Sequence, residues 1–527
     1  MSRTFSRSAI VRQAREAPER AFALGVAACT FAVAAFLFLQ LDAWPPHEDE
    51  ALALFVGRRS LPDLLDTILG HRGGAPLHFL VAWAVAHLGG GLLALRACSV
   101  AFAVASVPTC ALLARRVAGT WPALVATVTL SASWMFLFYG LYGRMYSLFL
   151  LTSAASYLAL LRANDSGRAR DWAVWAIAVY LTLATHPYGA VVLATQVLFL
   201  VIDRRVRAAA PAFACVTIAA IPFWRSDLVL SGRYDVGVSS ERRVGGPSFV
   251  FSYLWKTVAD FATGYDVLLV PVVVVAALGL WGLARTRRPG ALLAAIVFAT
   301  PTLGLLVTRF GTSTSPETRH LVFALPFFAA CLAAGLVRLG PAATIAALVV
   351  LLPAQVAWGD RRTPQLYRGE SQARVAARHA AAAWLARTSR SDDVLLGYDP
   401  LYLEAWERGG HVPETVVPRA DPALMLDTLA ALPKPLGRGV WVFDASDLGN
   451  PVRRLTIPVR YPYPRRAFEV RTFGPFLVIR SRAPTETTLG YLARAWDVQL
   501  VGKSLHLNDA SVNFGTVKRA IRVEAAR

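Results

Sequence analysis

The chain has 527 residues, of which 55% are hydrophobic and 17% are charged, whereas ordinary soluble domains have about 25% charged residues. Its net charge is +20, from 54 Lys and Arg residues against 34 Asp and Glu residues. The basic residues are scattered between long apolar runs and do not alternate with aromatic residues on one face, which argues against a nucleic-acid partner. We therefore predict a multi-spanning membrane protein.

The first apolar run, residues 21–41, has no ionisable side chain and is long enough to cross a bilayer, which takes about 20 residues. An Arg-rich segment precedes it. The run is too long for the core of a signal peptide, and no clear cleavage site follows it. We expect a retained first span whose N-terminus lies in the cytoplasm.

Hydropathy predicts an α-helical polytopic membrane protein with about eleven transmembrane helices. The predicted spans lie near residues 21–42, 92–114, 119–139, 144–162, 172–186, 188–203, 208–224, 265–285, 290–309, 320–338 and 341–358. Every second connection between these spans is Arg-rich and is predicted to lie on the cytoplasmic side. This alternation requires that residues 76–91 form a short helix in the outer interface and do not cross the membrane. This topology places the long loops 43–91 and 225–264 outside, in a membrane domain that covers residues 1–358.

The tail, residues 359–527, differs in composition from the preceding part because Asp, Glu, Pro and Arg become frequent and no run is long enough to span a membrane. Strand-like runs alternate with helical patterns. The strand-like runs are 394–398, 440–443 and 476–479, and the helical patterns include 376–387 and 422–432. We predict a small α/β domain on the extracytoplasmic side. It lacks G-x-G-x-x-G, so no nucleotide site is expected.

The stretch HEDE, residues 47–50, stands just after the first apolar run and is the densest acidic cluster near a predicted span. Asp49 or Glu48 could cap the helical pattern that follows, and an acidic first turn favours the helix dipole. Alternatively, carboxylates held at a membrane surface are costly and usually functional. Two adjacent carboxylates point in different directions on a helix, so one can accept a proton while the other binds a metal or orients the first.

Arg144 stands in the sequence YGRMY, between two apolar runs and at an outer end in the predicted topology. A lone Arg at this place could simply extend its charge to the interface. Its position between Tyr142 and Tyr146 is better suited to binding a phosphate or a pyranose, because Arg offers fixed, bidentate donors to phosphate oxygens.

Two further segments carry ionisable residues at outer span ends. His186 lies in THPYG, before a helix-breaking proline, and indicates either a turn with a hydrogen-bonded histidine or a residue for metal binding or proton transfer. Glu317 and Arg319 lie in SPETRHLVFALP, before a later span. Four distant segments are thus predicted to converge on one membrane face.

The order of DEA, APLHF, LRACS, YGRMYSL, THPYG and TRHLVFALP resembles the polyprenol-phosphate-sugar-dependent glycosyltransferases of the type C membrane fold. That superfamily includes protein O-mannosyltransferases and the aminoarabinose transferase that acts on lipid A. The resemblance covers roughly residues 20–340. It has departures: relatives often carry Glu where this chain has Tyr142, and Tyr where it has His320. The missing second acid argues against metal binding by two distant carboxylates.

The resemblance implies a role for each matching residue. Asp49 would be the catalytic base with Glu50 as its partner, Arg144 and Arg319 would bind the donor phosphate, and His186 would bind a metal or transfer a proton. A divalent cation near Glu50 and His186 is left as an open option. Apart from the resemblance, Tyr142, Tyr146, His78 and Glu317 are candidate substrate-binding residues because they lie near these positions in the sequence or in the predicted topology.

The implied activity is transfer of a sugar from a polyprenyl monophosphate to an acceptor hydroxyl, with inversion, at the outer face of the cytoplasmic membrane. The acceptor is a glycan, a lipid or a protein. Loop 225–264, which contains Arg242 and Arg243, either covers the lipid carrier or is disordered. Two alternatives remain at this stage: a transporter or flippase of lipid-linked glycans, which would place ionisable residues at mid-span, and a structural assembly subunit in which these motifs are only helix caps.

Overall fold

The structure is a computed structural model. It describes residues 7–233, 247–308, 317–364, 367, 371–409, 415–417, 436–444, 468–484, 505–507 and 510–512. Arg242, Arg243 and the helical pattern predicted at 422–432 lie outside the described residues. Within them, helices dominate the chain up to Arg362, and all of the strands follow that residue.

The described helices are α1 Arg7–Leu39, α2 Glu48–Gly57, α3 Leu61–Asp66, α4 Pro76–His87, α5 Leu92–Ala118, α6 Thr120–Ser131, α7 Trp134–Leu141, α8 Tyr146–Ser166, α9 Ala169–Thr185, α10 Gly189–Ile202, α11 Val206–Ala219, α12 Ile221–Arg233, α13 Pro247–Phe261, α14 Asp266–Thr286, α15 Arg288–Thr308, α16 Leu325–Arg338, α17 Pro341–Arg362, α18 Gln372–Thr388 and α19 Pro400–Glu407. A π-helical segment, Thr67–Arg72, follows α3, and a 3₁₀ helix, Thr318–Ala324, leads into α16.

Seven of the described helical segments are long and apolar enough to cross a membrane, and the number rises to nine if each of two bent pairs is one span. The bent pairs are α6 with α7, at 56°, and α11 with α12, at 51°. The polytopic helical architecture is confirmed, with fewer long spans than the sequence predicts. The difference arises because two predicted spans are broken by bends, while α9 and α10 have only 17 and 14 residues.

Small residues allow the helices at the centre of the bundle to approach closely, as is common between membrane helices. Helix α16 is largely buried and packs along α14. A Cβ atom added at Gly279 of α14 would lie 1.9 Å from the carbonyl oxygen of Cys331, and one at Gly335 of α16 would lie 2.1 Å from that of Val275. Neither position can hold a larger residue without separating the two helices.

The strands of the tail form a mixed sheet. They are β1 Val394–Leu396, β2 Val416–Val417, β3 Arg438–Asp444, β4 Phe468–Phe473 and β5 Phe476–Pro484, followed by a separate antiparallel pair, β6 Leu505–Leu507 and β7 Ala510–Val512. The strand order is β2-β1-β3-β5-β4. Strand β1 pairs in parallel with β2 and β3, and β5 pairs antiparallel with β3 and β4. The three predicted strand runs coincide with β1, β3 and β5, and the predicted helix at 376–387 lies within α18.

The tail packs against the first connecting segment of the bundle through aromatic side chains. Phe55 of α2 is buried and contacts Trp406 of α19, with ring centroids 4.2 Å apart. The guanidinium of Arg58 lies over the same indole, 4.0 Å from the ring centroid. Helix α2 is therefore held between the bundle and the tail.

Candidate active site

Helix α2 begins with a reciprocal hydrogen-bonding cap built from the acidic cluster itself. His47 occupies the N-cap position, and its Nδ1 accepts a hydrogen bond from the backbone nitrogen of Asp49 at 3.0 Å. The Glu50 carboxylate accepts from the backbone nitrogen of His47 at 3.0 Å. This capping box satisfies amides that would otherwise lack partners in the first turn. It also directs the side chains of Asp49 and Glu50 to different surroundings.

Glu50 faces inward and is closed off from any ligand. Its side chain is 0% exposed and accepts hydrogen bonds from Arg96 Nε at 2.9 Å and Arg96 Nη2 at 2.7 Å, and from the backbone nitrogen of Gly143 at 2.8 Å. Burial acts to raise the pKa of Glu50, but the charge and hydrogen bonds of Arg96 outweigh it and hold that pKa below its ordinary value. Glu50 thus ties α2 to α5 and to the segment that carries Arg144.

Gly143 is needed for this closed arrangement because its backbone approaches the carboxylate directly. A Cβ atom at this position would lie 2.8 Å from Glu50 Oε1, the oxygen to which the Gly143 amide donates. The glycine in YGRMY is therefore explained by this contact. The same contact fixes where the next residue, Arg144, begins.

Asp49 faces the opposite way and is accessible, with 34% of its side chain exposed. Its Oδ2 accepts a hydrogen bond from the Tyr142 hydroxyl at 3.1 Å and lies 3.9 Å from Nε of Arg144. Burial acts to raise the pKa of Asp49, but the charge of Arg144, with those of His47 and Arg319, outweighs it and holds the pKa well below its ordinary value. Asp49 is an ionised carboxylate that faces a guanidinium.

Tyr142 links the Asp49 carboxylate to the helix cap. Its hydroxyl lies 2.7 Å from Nδ1 of His47 in addition to its bond to Asp49. Burial and the charge of Asp49 raise the pKa of Tyr142 well above its ordinary value, so the hydroxyl keeps its single proton. Asp49 Oδ2 and Nδ1 of His47 are the two acceptors for that proton. His78, on α4, is buried nearby, and its Nε2 has no hydrogen-bond partner among the described residues.

A second guanidinium enters the site from the 3₁₀ helix. Arg319 pairs with Glu317 at 2.6 Å, and its Nε, like that of Arg144, has no hydrogen-bond partner in the described part of the chain. Two residues of α13 hold this segment in place. The Thr318 hydroxyl donates to Asp260 at 2.7 Å, and the Tyr253 hydroxyl donates to the carbonyl oxygen of Glu317 at 3.0 Å.

Aromatic and imidazole rings surround the Arg319 guanidinium. The Arg319 guanidinium lies over the Tyr146 ring, 5.2 Å from its centroid. The His186 ring is 5.8 Å from that of Tyr146 and stacks on Phe149 at 4.8 Å. The His320 ring lies 5.2 Å from that of His186. All nine site residues predicted from the sequence therefore lie in one cluster, in which Glu50 is the member closed off by Arg96.

This arrangement does not fit a divalent cation at Glu50 and His186. Both carboxylate oxygens of Glu50 already accept hydrogen bonds from protein groups that a metal would have to displace. Nδ1 of His186 accepts a hydrogen bond from the Tyr188 backbone nitrogen at 3.0 Å. No group of three or more His, Cys, Asp or Glu side chains with metal-binding geometry occurs among the described residues.

A separate cavity of about 400 Å³ lies beyond Asp260, at the junction of α13, α14 and α17. Asp260 forms an ion pair with Arg362 at 2.9 Å, so its carboxylate connects this cavity with the Arg319 segment. The cavity is lined by Trp255, Lys256, Ala259, Asp260, Gly264, Asp266, Leu269, Trp358 and Arg362.

Three further residues help to form the site although the sequence pattern predicts no role for them: Arg96, His47 and His320. A signal for Arg96 was present: a single cation inside an apolar run indicates a partner within the bundle. The signal for His47 is its place directly before an acidic first turn, where side-chain acceptors cap helices.

Comparison with known proteins places this geometry in context. Residues 73–225 match the family model of the dolichyl-phosphate-mannose-protein mannosyltransferases. No match was found among curated protein sequences.

Several solved structures share the fold. The ArnT protein of Cupriavidus metallidurans in complex with undecaprenyl phosphate has a TM-score of 0.51 and 16% identity, over 86% of this chain and 97% of that one. Its apo form has a TM-score of 0.54 and 17% identity, over 87% of this chain and 98% of that one. The oligosaccharyltransferase of Archaeoglobus fulgidus in complex with Zn and sulfate has a TM-score of 0.50 and 12% identity, over 81% of this chain and 69% of that one.

These matches confirm the resemblance that the order of the motifs predicts. The family model covers the segment that contains α4, Arg96, Arg144 and His186, and the structural matches extend over most of the chain. The chain has the type C membrane fold of the polyprenyl-phosphate-sugar-dependent glycosyltransferases.

Proposed function

We propose that the protein is a membrane glycosyltransferase that moves a sugar from a polyprenyl monophosphate to an acceptor hydroxyl. One observation carries the proposal: Asp49, an accessible carboxylate, lies 3.9 Å from Nε of Arg144 and close enough to Arg319 to feel its charge, at the end of an apolar helix bundle. The matched mannosyltransferase family and the ArnT structure with undecaprenyl phosphate support the choice of donor.

The charges around the site favour a monophosphate donor over a diphosphate donor. Arg144 and Arg319 are opposed by Asp49 and Glu317, while Glu50 is neutralised by Arg96. The open part of the site is therefore close to neutral. A sugar phosphodiester adds one negative charge, whereas a diphosphate adds about two, and an uncompensated charge near the membrane core is costly.

The proposed reaction is a single displacement at the anomeric carbon. The oxygen of the acceptor hydroxyl bonds to the anomeric carbon while Asp49 takes its proton and the bond between that carbon and the phosphate oxygen breaks. The released polyprenyl phosphate carries the developing negative charge, and the guanidiniums of Arg144 and Arg319 stabilise it. One displacement inverts the configuration of the anomeric carbon.

Donor binding would also make Asp49 a better base. In the free protein, the guanidinium of Arg144 holds the pKa of Asp49 well below its ordinary value, after the opposing effect of burial. A bound phosphate would engage the same guanidinium and add a nearby negative charge, and both changes raise the pKa of a carboxylate. A base closer to neutrality transfers protons more effectively at physiological pH.

The site is proposed to face the outside of the cytoplasmic membrane. The Arg-rich connections support an N-terminus in the cytoplasm, and the tail, residues 359–527, would then form an extracytoplasmic domain. The acceptor is a glycan, lipid or protein hydroxyl that reaches this face, and neighbouring membrane lipid surrounds the bundle.

We expect Tyr142→Phe to lower the initial rate of sugar transfer by about tenfold or more, because the hydroxyl that donates to Asp49 is lost without a change of ring packing. Tyr157→Phe is the matched control, since the Tyr157 hydroxyl is buried against Thr195, on neighbouring helices away from Asp49. An unchanged rate in Tyr142→Phe would show that this hydrogen bond does not support catalysis.

The direct test of the proposed function uses purified protein and a set of polyprenyl-linked sugars, each prepared as a monophosphate and as a diphosphate. We expect loss of sugar from at least one monophosphate and from no diphosphate, measured by mass spectrometry of the lipid. Consumption of diphosphate donors alone would contradict the proposal. A flippase would move labelled lipid across a vesicle membrane without releasing its sugar, which the same assay distinguishes.

A further inference from the structure

Two histidine rings lie next to each other beside Arg319, and each accepts a hydrogen bond from a backbone amide. The rings of His186 and His320 are 5.2 Å apart, and both adjoin Tyr146, at 5.8 and 6.5 Å. His186 is 4% exposed and stacks on Phe149. The His186 ring therefore cannot turn over without repacking its neighbours.

A backbone amide fixes the tautomer of each ring. Nδ1 of His186 accepts from the nitrogen of Tyr188 at 3.0 Å, and Nδ1 of His320 accepts from the nitrogen of Glu317 at 3.3 Å. A nitrogen that accepts a hydrogen bond carries no proton, so each neutral imidazole must carry its proton on Nε2. Among the described residues, the only side-chain hydrogen bond of each histidine is the one at Nδ1, so neither Nε2 is bonded to the protein.

This tautomer excludes two of the roles predicted for His186. To bind a metal or accept a proton through Nε2, the neutral ring must carry its proton on Nδ1, where it would point at the amide hydrogen that Nδ1 now accepts. A doubly protonated ring would meet the same repulsion and would also lie beside the cations Arg144 and Arg319. Each ring is consequently a hydrogen-bond donor to whatever enters the site.

We propose that His186 and His320 are a fixed pair of N–H donors to the non-bridging oxygens of the donor phosphate, and that neither binds a metal or acts as a base. This inference rests on the proposed function. With Arg144 and Arg319, the pair would give the phosphate four donors from three separate segments, whereas Asp49 would be the acceptor that faces the incoming hydroxyl.

The tautomers are tested in the wild-type protein by nitrogen-15 NMR of labelled histidine in lipid bilayers. We expect the Nε2-protonated form for His186 and His320. His87 provides an internal reference, because its Nδ1 lies 2.9 Å from the Trp83 carbonyl oxygen and must donate to it, so its neutral ring has the opposite tautomer. The Nδ1-protonated form at His186 or His320 would overturn the inference.

The affinity of the full-length protein for undecaprenyl phosphate tests whether the two histidines donate to the phosphate. His320→Phe and His186→Phe remove the donor, and each should weaken binding by about tenfold. His320→Gln and His186→Gln place an amide nitrogen near the position of Nε2, and each should stay within about threefold of the wild type. His87→Gln is the control and should have no effect. EDTA treatment should also change nothing.

The results separate this inference from the proposed function. If the wild type transfers sugar but the Phe variants bind undecaprenyl phosphate as tightly as the wild type does, the inference fails and the proposed function stands. Loss of binding after EDTA that Mn²⁺ restores would likewise overturn the inference alone. If the wild type neither binds undecaprenyl phosphate nor consumes a polyprenyl-phosphate sugar, both fail, whatever the histidine tautomers are.

Discussion

Asp49→Asn is expected to lower kcat for sugar transfer by about 10²- to 10⁴-fold, the range associated with loss of a general base. The asparagine keeps the size of the side chain and can still accept the Tyr142 hydrogen bond, but it cannot take a proton. Affinity for undecaprenyl phosphate should be unchanged or higher, because the carboxylate that opposes Arg144 is removed. Transfer and lipid binding are measured on the same purified sample.

Asp42→Asn is the matched control, since Asp42 is exposed and lies on the same connection only seven residues earlier. It should retain wild-type transfer. If Asp49→Asn also transfers at a near-normal rate while remaining folded, Asp49 is not the base, and the transporter or assembly-subunit interpretations gain support.

The largest expected effect on stability comes from separating Glu50 and Arg96. This pair is almost completely buried, with side chains 0% and 2% exposed, and removing one partner leaves a charge without compensation. We expect Glu50→Gln or Arg96→Met to lower the free energy of unfolding by about 3–5 kcal/mol. Reversible unfolding in mixed detergent micelles measures the change.

The double variant Glu50→Gln with Arg96→Met should be less destabilised than the sum of the two single variants, because neither charge then remains unpaired. The exposed pair Arg116–Asp165, whose side chains are 46% and 60% exposed, provides the control, and Arg116→Ala should cost no more than about 1 kcal/mol. A loss that small in Glu50→Gln would contradict the assigned role of Glu50 as the anchor of α2.

Much of the membrane architecture could be predicted because long charge-free runs have few other stable environments. The same reasoning places Asp49, Arg144, His186 and Arg319 at span ends, and the structure brings them together at one end of the bundle. The bends within α6–α7 and α11–α12 could not be predicted from hydropathy, since an average over a window is the same for a straight and a broken helix. The span count differs for that reason.

The different roles of Asp49 and Glu50 could not be predicted from the sequence either. Both are acidic residues in the same helical turn, and only the position of Arg96, 46 residues away, decides which is closed off. Such pairings depend on how distant helices pack and not on local pattern. The tautomer of His186 could not be predicted from the sequence either, because it depends on a hydrogen bond from one backbone amide of the following turn.

The most direct test of the account is a structure of the protein with bound undecaprenyl phosphate. In that structure we expect phosphate oxygens about 3 Å from the guanidinium nitrogens of Arg144 and Arg319. We expect Asp49 to lie beside them, with its carboxylate accessible to an acceptor hydroxyl. A phosphate bound instead in the cavity lined by Lys256 and Arg362, with Asp49 out of reach, would contradict it.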